Sequence, residues 1–275
     1  MAYHSPKTME EAFAALNGPD VAVIAGGTDW FPQSGDRLTD KSLLDVTGLP
    51  GFRGIARTSD GWRIGAATTW TDIINADLPA CFDGLKAAAK EVGSLQIQNT
   101  GTVAGNLCNA SPAADGVPPL LTLNAQIELI SVEGTRTIPL TDFITGVRRT
   151  TLAPRELVAA ILIPDTQSFR AGFLKLGSRR YMVISIAMVA ALIRTEGGRI
   201  VEARVAAGAC SPVAIRLPAL EQRLIGHCAA TPVAITEADL APLSPLTDLR
   251  GSGLYRLQSV DELLHRLITD LTAAE

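Results

Sequence analysis

Cysteine and histidine are scarce in this chain of 275 residues, which has four of the first and three of the second. Cys81, Cys108, Cys210 and Cys228 form no CxxC pair, and His4, His227 and His265 are scattered. A zinc site or an iron–sulfur cluster held wholly within the chain is therefore not expected. The cysteines read as small buried hydrophobes, with Cys108 set apart by the unusual stretch around it. Long apolar runs are missing too. Apolar residues make up 47% of the chain and mean hydropathy is +0.23, yet no run approaches the roughly 18 residues of a membrane span. The opening "MAYHSPKTMEEAF" lacks the charged and apolar segments of a leader, so a cytoplasmic protein is expected. There is no excess of positive charge either. A net charge of −4 gives no electrostatic reason to bind nucleic acid, and Arg148-Arg149 and Arg179-Arg180 read as solvated pairs. No GxxxxGKS/T and no GxGxxG occurs, and no acid–base–nucleophile set is visible.

What is present is an α/β pattern followed by a change of character. Length favours about two domains. "TMEEAFAALNG" reads as a helix capped by Thr8 and Glu11, with Ala12, Phe13 and Leu16 on one face. "VAVIA" (21–25) and "SLLDV" (42–46) read as short strands, as does "GWRIGAAT" (61–68). Thr69 and Asp72 cap a short helix, and "DGLKAAAKEVG" (83–93) is a helix stopped by Gly93. Residues 126–140 read as a hairpin turning at Glu133-Gly134, and "LVAAILIP" (157–164) as a strand. A boundary is expected near 164–170. Beyond it come two long strands joined at Glu196–Arg199, then helices. The last is expected to start at Ser259 and Glu262, with Leu263, Leu264, Leu267, Ile268 and Leu271 along one face.

Two glycine-bearing stretches carry the chemistry. Gly26-Gly27-Thr28-Asp29 follows an apolar strand directly, where backbone N–H groups can form an anion-binding nest. Thr100–Asn106, "TGTVAGN", reads as a second loop: Thr102 offers a hydroxyl, Gly105 close approach and Asn106 a bridge. Ser111-Pro112-Ala113-Ala114-Asp115 has the pattern of a helix start. An Asp there would repel a phosphate, so Asp115 is expected to face hydroxyl groups instead.

Taken together, "AGGTDW" and "NTGTVAGNLCNASPAADGVPPLLTLNA" resemble the FAD-binding subunit of the molybdenum hydroxylases, the family of carbon monoxide dehydrogenase medium subunits and the flavin parts of xanthine and aldehyde dehydrogenases. "KLGSRR" (175–180) and "YRLQSVDELLHRL" (255–267) extend the likeness along the chain. The resemblance implies an α+β fold: a two-lobed FAD-binding domain of the p-cresol methylhydroxylase type over 1–166, with lobes of about 1–52 and 53–166. A C-terminal α+β domain with an antiparallel sheet and helices would follow over 167–275.

Carried over by position, Ile24, Ala25, Gly26, Gly27, Thr28 and Asp29, with Thr102, Ala104, Gly105 and Asn106, would hold the FAD pyrophosphate. Asp115, with Ala114 beside it, would meet a cofactor hydroxyl. Trp30 and Cys108 would lie toward the flavin, and Val158 and Lys175 would border its ring. Two departures stand out. Ala104 replaces the first residue of a Gly-Gly pair, which is tolerable only at negative φ. Ser185-Ile186 stands where some relatives have Asp-Tyr.

The implied role is that of an oxidoreductase subunit in electron transfer. Substrate would be oxidised at a molybdenum cofactor on a large subunit. Electrons would cross 2Fe–2S clusters of a small subunit to FAD on this chain, and leave to NAD, quinone or oxygen. Two alternatives stay open: a stand-alone flavin-dependent oxidase or dehydrogenase, and a flavin-free assembly module of the same fold.

Overall fold

The computed structural model describes residues 2–35, 41–166 and 168–273. Gln167, first residue of the expected second domain, lies outside them, as do its last two residues. The fold is α+β and its main layers are three sheets. The first is parallel, in the order Tyr3–His4, Ser42–Asp45, Val21–Ile24. Parallel strands need a crossover, and the helix Met9–Leu16 supplies one. Thr8 starts that helix, its hydroxyl accepting the Glu11 N–H at 3.2 Å. Val21–Ile24 is left at the sheet edge.

The second sheet is antiparallel, in the order Ile55–Thr58, Gly61–Gly65, Leu157–Pro164, Gln126–Ser131, Gly134–Pro139. Its hairpin turns one residue earlier than expected: Ser131 pairs with Gly134, so Val132 and Glu133 are central. Between the strands, Thr69 and Asp72 form the expected reciprocal cap. The Thr69 hydroxyl accepts the Asp72 N–H at 3.2 Å, and the Asp72 carboxylate accepts the Thr69 N–H at 2.9 Å. The helix Asp83–Glu91 ends before Gly93, whose φ of +54° few other residues adopt.

The third sheet is antiparallel, in the order Arg170–Leu176, Ala187–Glu196, Arg199–Gly208, Ile215–Arg216. The sequence pattern gave two long strands here; Arg170–Leu176 is another, paired along its length with Ala187–Ile193. Alternate residues of the central strand enter different cores. Val189, Ala191 and Ile193 pack with Leu220, Val260, Leu264 and Ile268, while Met188 and Ala190 pack with Phe173 and Ala88. Burial on both faces explains why "AMVAALI" is continuously apolar instead of alternating.

The terminal helix runs Gly253–Thr272, about two turns longer than expected at its start. Ser252 is its cap, accepting the Tyr255 N–H at 3.2 Å. Leu254 and Tyr255 are exposed on its first turn, so the apolar stripe misses the true beginning. Ser259 is interior, its hydroxyl donating to the Tyr255 carbonyl at 2.7 Å. Among the described residues no helix is long and apolar enough to cross a membrane.

Candidate functional site

A cleft of about 280 Å³ lies between the edge strand of the first sheet and helical residues from Trp70 to Asn109. Its walls are the edge strand and the two glycine-bearing stretches. Ile24, Ala25, Gly26, Gly27, Thr28, Asp29 and Trp30 line one side, and Thr102, Gly105, Asn106 and Cys108 the other. An adjoining chamber of about 290 Å³ shares Ile24, Ala25, Thr102, Gly105 and Cys108 and is mostly apolar, with Ala104, Leu157 and Val158 in its lining. The strand Leu157–Pro164 is bulged between Val158 and Ala160, next to this chamber.

The second stretch is not a loop. Helices Leu95–Thr100 and Val103–Asn109 are separated by Gly101 and Thr102 alone. Thr102 caps the second, its hydroxyl accepting the Gly105 N–H at 3.1 Å. That hydrogen bond uses the Gly105 donor. Ala104 lies in this helix and so has the negative φ at which its methyl is tolerated. Nor is Ser111–Asp115 a helix start. The Ser111 hydroxyl accepts the Ala113 N–H at 3.3 Å in a turn, and the helix begins at Val117. Pro118 and Pro119 fit that first turn because no intrahelical N–H is needed there.

The glycines serve different ends. A methyl on Gly26 would sit 1.8 Å from the Thr100 carbonyl oxygen, so Gly26 lets the two walls meet backbone to backbone. Gly27 has φ of +67° and makes the turn into the short helix Trp30–Ser34. A methyl on Gly116 would sit 2.5 Å from the Trp70 ring and 3.0 Å from Asn106 Oδ1. A methyl on Gly105 would sit 2.8 Å from the Thr102 hydroxyl, with no other described side chain within 4 Å. Much of the smallness of residues 98–120 thus serves contact within the protein, and Gly105 serves the cleft.

Two buried polar atoms of the lining, Trp30 Nε1 and Asn106 Oδ1, have no hydrogen-bond partner among the described residues. Buried polar atoms are almost always paired, so these two await a ligand or solvent. The titratable lining groups are Asp29, Cys108 and Glu156. Glu156 is engaged: Arg136 donates to both its oxygens, at 2.6 and 2.7 Å, and holds its carboxyl below the usual range. Cys81 and Cys210 are buried as expected, Cys228 is half-buried, and Cys108 is exposed on the cleft.

Three expected site residues form a neighbouring group. Ala114, Asp115 and Lys175 line neither the cleft nor the chamber. Lys175 has a side chain only 5% exposed, and its Nζ donates to Asp115 Oδ2 at 2.7 Å and to the Glu91 carbonyl at 3.3 Å. Ser185 donates to Asp115 Oδ1 at 2.6 Å. Burial pushes the Asp115 carboxyl above its ordinary range, against the pull of the Lys175 ammonium and the Ser185 hydroxyl. Sequence reading marked Lys175 and Asp115 but not their pairing. Gln33 and Asn109, also in the lining, were missed: Gln33 lies beyond the first motif, and Asn109 is an ordinary polar residue within the second.

A cleft walled by glycine-bearing backbone and joined to an apolar chamber has the chemistry to take a dinucleotide cofactor. Residues 1–166 match the FAD binding domain in molybdopterin dehydrogenase, and residues 173–271 match the CO dehydrogenase flavoprotein C-terminal domain. The chain belongs to the FAD-binding flavoprotein subunits of molybdenum hydroxylase-type oxidoreductases. It is 33% identical to the putative xanthine dehydrogenase FAD-binding subunit XdhB of Escherichia coli, over 99% of this chain and 96% of that protein. It is 32% identical to the nicotine 6-hydroxylase medium subunit of Paenarthrobacter nicotinovorans, over 98% and 97%. Quinoline 2-oxidoreductase from Pseudomonas putida 86 superposes with a TM-score of 0.90 at 26% identity, covering 99% of this chain and 97% of that one. The residues present fit FAD. Trp30 Nε1 is a donor wanting an acceptor, Asn106 Oδ1 an acceptor wanting a donor, and the cofactor carries phosphate oxygens and hydroxyls.

Proposed function

We propose that this chain holds FAD in the cleft between Gly26–Trp30 and Thr102–Cys108 and passes electrons from the 2Fe–2S clusters of a small partner subunit to an external acceptor, NAD or quinone. The observation that carries this is the pair of unpartnered buried atoms, Trp30 Nε1 and Asn106 Oδ1, on the lining of one cleft. With FAD bound, the indole N–H of Trp30 would serve an acceptor such as a phosphate oxygen, and the Asn106 carbonyl would accept from a hydroxyl. Gly105 leaves room for the cofactor against the helix it opens. Ala104 and Val158 give the chamber its apolar wall for a ring system. Bound FAD supplies a redox centre that exchanges electrons singly or in pairs, and the protein's part is to bind and orient it.

Titratable groups in the lining are few, and Glu156 is committed to Arg136, which fits a relay better than acid–base catalysis. A large subunit with the molybdenum cofactor belongs to the same reading. Relatives named carbon monoxide dehydrogenase medium chain and 6-hydroxypseudooxynicotine dehydrogenase complex subunit alpha support such an assembly. A cytoplasmic setting and a division into domains 1–166 and 167–275 belong to the same proposal.

The test is the absorption spectrum of the purified full chain, with released cofactor identified by mass. The expected result is bound FAD, lost in a folded Gly105→Val variant. A chain that stays colourless both alone and co-expressed with its partner subunits would overturn the reading.

A further inference from the structure

No lysine or arginine lines the cleft or the chamber, while Asp29 stands in the one and Glu156 in the other. Positive charge meets lining side chains from outside. Arg136 is neutralised by Glu156. Lys41 lies over the Trp30 ring, 5.9 Å from its centroid. Arg148, half of a solvated pair by its sequence, makes a more specific contact. Its guanidinium donates to the Asn109 carbonyl at 3.1 Å and to Asn109 Oδ1, and Asn109 lines the cleft. Arg148 is exposed and has no carboxylate partner among the described residues.

The backbone is shaped around this contact. Arg148 has φ of +57°, and Ala110, next to Asn109, has φ of +45°. Residues other than glycine seldom adopt this region, and such conformations gather at functional sites where neighbours enforce them. Here the Arg148 N–H donates to the Ala110 carbonyl at 2.9 Å, which brings the guanidinium to the end of the helix Val103–Asn109. Asn109 Oδ1 is thereby filled. It accepts from Arg148 and, at 3.4 Å, from Gln33 Nε2, whose amide also donates to Asp29 Oδ1 at 3.4 Å. The Asn109 NH2 has no partner among the described residues. An amide whose oxygen faces a cation is polarised, and its NH2 is the stronger donor for it. Asn109 stands three positions after Asn106 in the same helix, so the two share a face.

We propose that Arg148 is the counter-charge for the pyrophosphate of the bound dinucleotide and that it acts through Asn109: Arg148 positions and polarises the amide, and the Asn109 NH2 meets a phosphate oxygen. The proposal rests on the FAD reading. It adds the residues that answer the phosphate charge in a cleft whose own lining presents Asp29.

The test is FAD titration of the full chain at increasing salt, with a melting curve of each chain without FAD. Wild-type binding should weaken as salt rises toward about 1 M, where the screening length falls to about 3 Å. Arg148→Met should weaken binding at low salt by about tenfold and flatten the salt dependence. Arg148→Lys should restore the salt dependence and part of the affinity, because it keeps the charge and loses the planar fork. Asn109→Asp separates binding from folding. A carboxylate keeps the Arg148 contact at the helix end, so the melting temperature should hold. It also consumes the charge and removes the NH2 donor, so FAD affinity should fall by about tenfold or more. Equal affinity and equal salt dependence in wild type and Arg148→Met would overturn the proposal. Asn109→Asp with wild-type affinity would overturn it too, leaving Arg148 as a helix cap alone. A wild type that takes up no FAD, alone or with its partner subunits, would overturn the FAD reading and this proposal with it. That outcome is read on wild type and the others on the variants, so the two failures are told apart.

Discussion

Two polar regions, one in the cleft lining and one next to it along the chain, are built in opposite ways. In the cleft, Trp30 Nε1 and Asn106 Oδ1 are buried without partners. Next to it, Asp115, Lys175 and Ser185 satisfy one another. The difference separates binding from bracing. An unpaired buried atom costs free energy until something pairs with it, so its benefit appears on binding. A closed ion pair contributes to the folded state with or without ligand, and is missed mainly when one member is removed.

The comparison is broken most severely from the braced side. Lys175→Met leaves Asp115 buried and unpaired and should cost about 3–5 kcal/mol of stability, read by urea denaturation of the chain without FAD. Recovery of most of that loss on adding Asp115→Asn would confirm that the pair acts as a unit. Next comes the contact that joins the walls. Gly26→Ala drives a methyl toward the Thr100 carbonyl and should cost about 1–3 kcal/mol, with FAD affinity falling alongside stability.

The open side should respond differently. Asn106→Ala is expected to weaken FAD binding by about 1 kcal/mol, several-fold in Kd, while stability without FAD stays within about 0.5 kcal/mol. Equal losses in stability and affinity would erase the distinction between the two regions. The smallest effect concerns pH. Arg136 holds the Glu156 carboxyl below its unfolded value, so this pair stabilises the fold above about pH 4.5 and loses its contribution as pH falls through the lowered folded value. An Arg136→Met variant should therefore show a flatter acid limb in a melting-temperature series from pH 7 to pH 3.

What could be read in the sequence was what local chemistry decides. The Thr69–Asp72 cap, the stop at Gly93 and the apolar face of the terminal helix are set by residues within a few positions of one another. So was the family, because both motifs stand in the chain in order. What could not be read were agreements between distant residues. Lys175 and Asp115 are 60 positions apart, Ser185 and Asp115 are 70, and nothing near any of them announces the others. The same limit governs the glycines. Gly26 and Gly105 look alike in sequence, and only the fold shows that one meets the Thr100 backbone and the other the Thr102 hydroxyl that caps its own helix. The true start of the terminal helix was hidden by the exposed Leu254 and Tyr255, which blur the stripe.

The most direct test of the account is a crystal structure of the full chain with FAD bound. The account predicts the cofactor in the cleft, with a phosphate oxygen or other acceptor at Trp30 Nε1 and a hydroxyl donor at Asn106 Oδ1. FAD bound elsewhere would contradict the account.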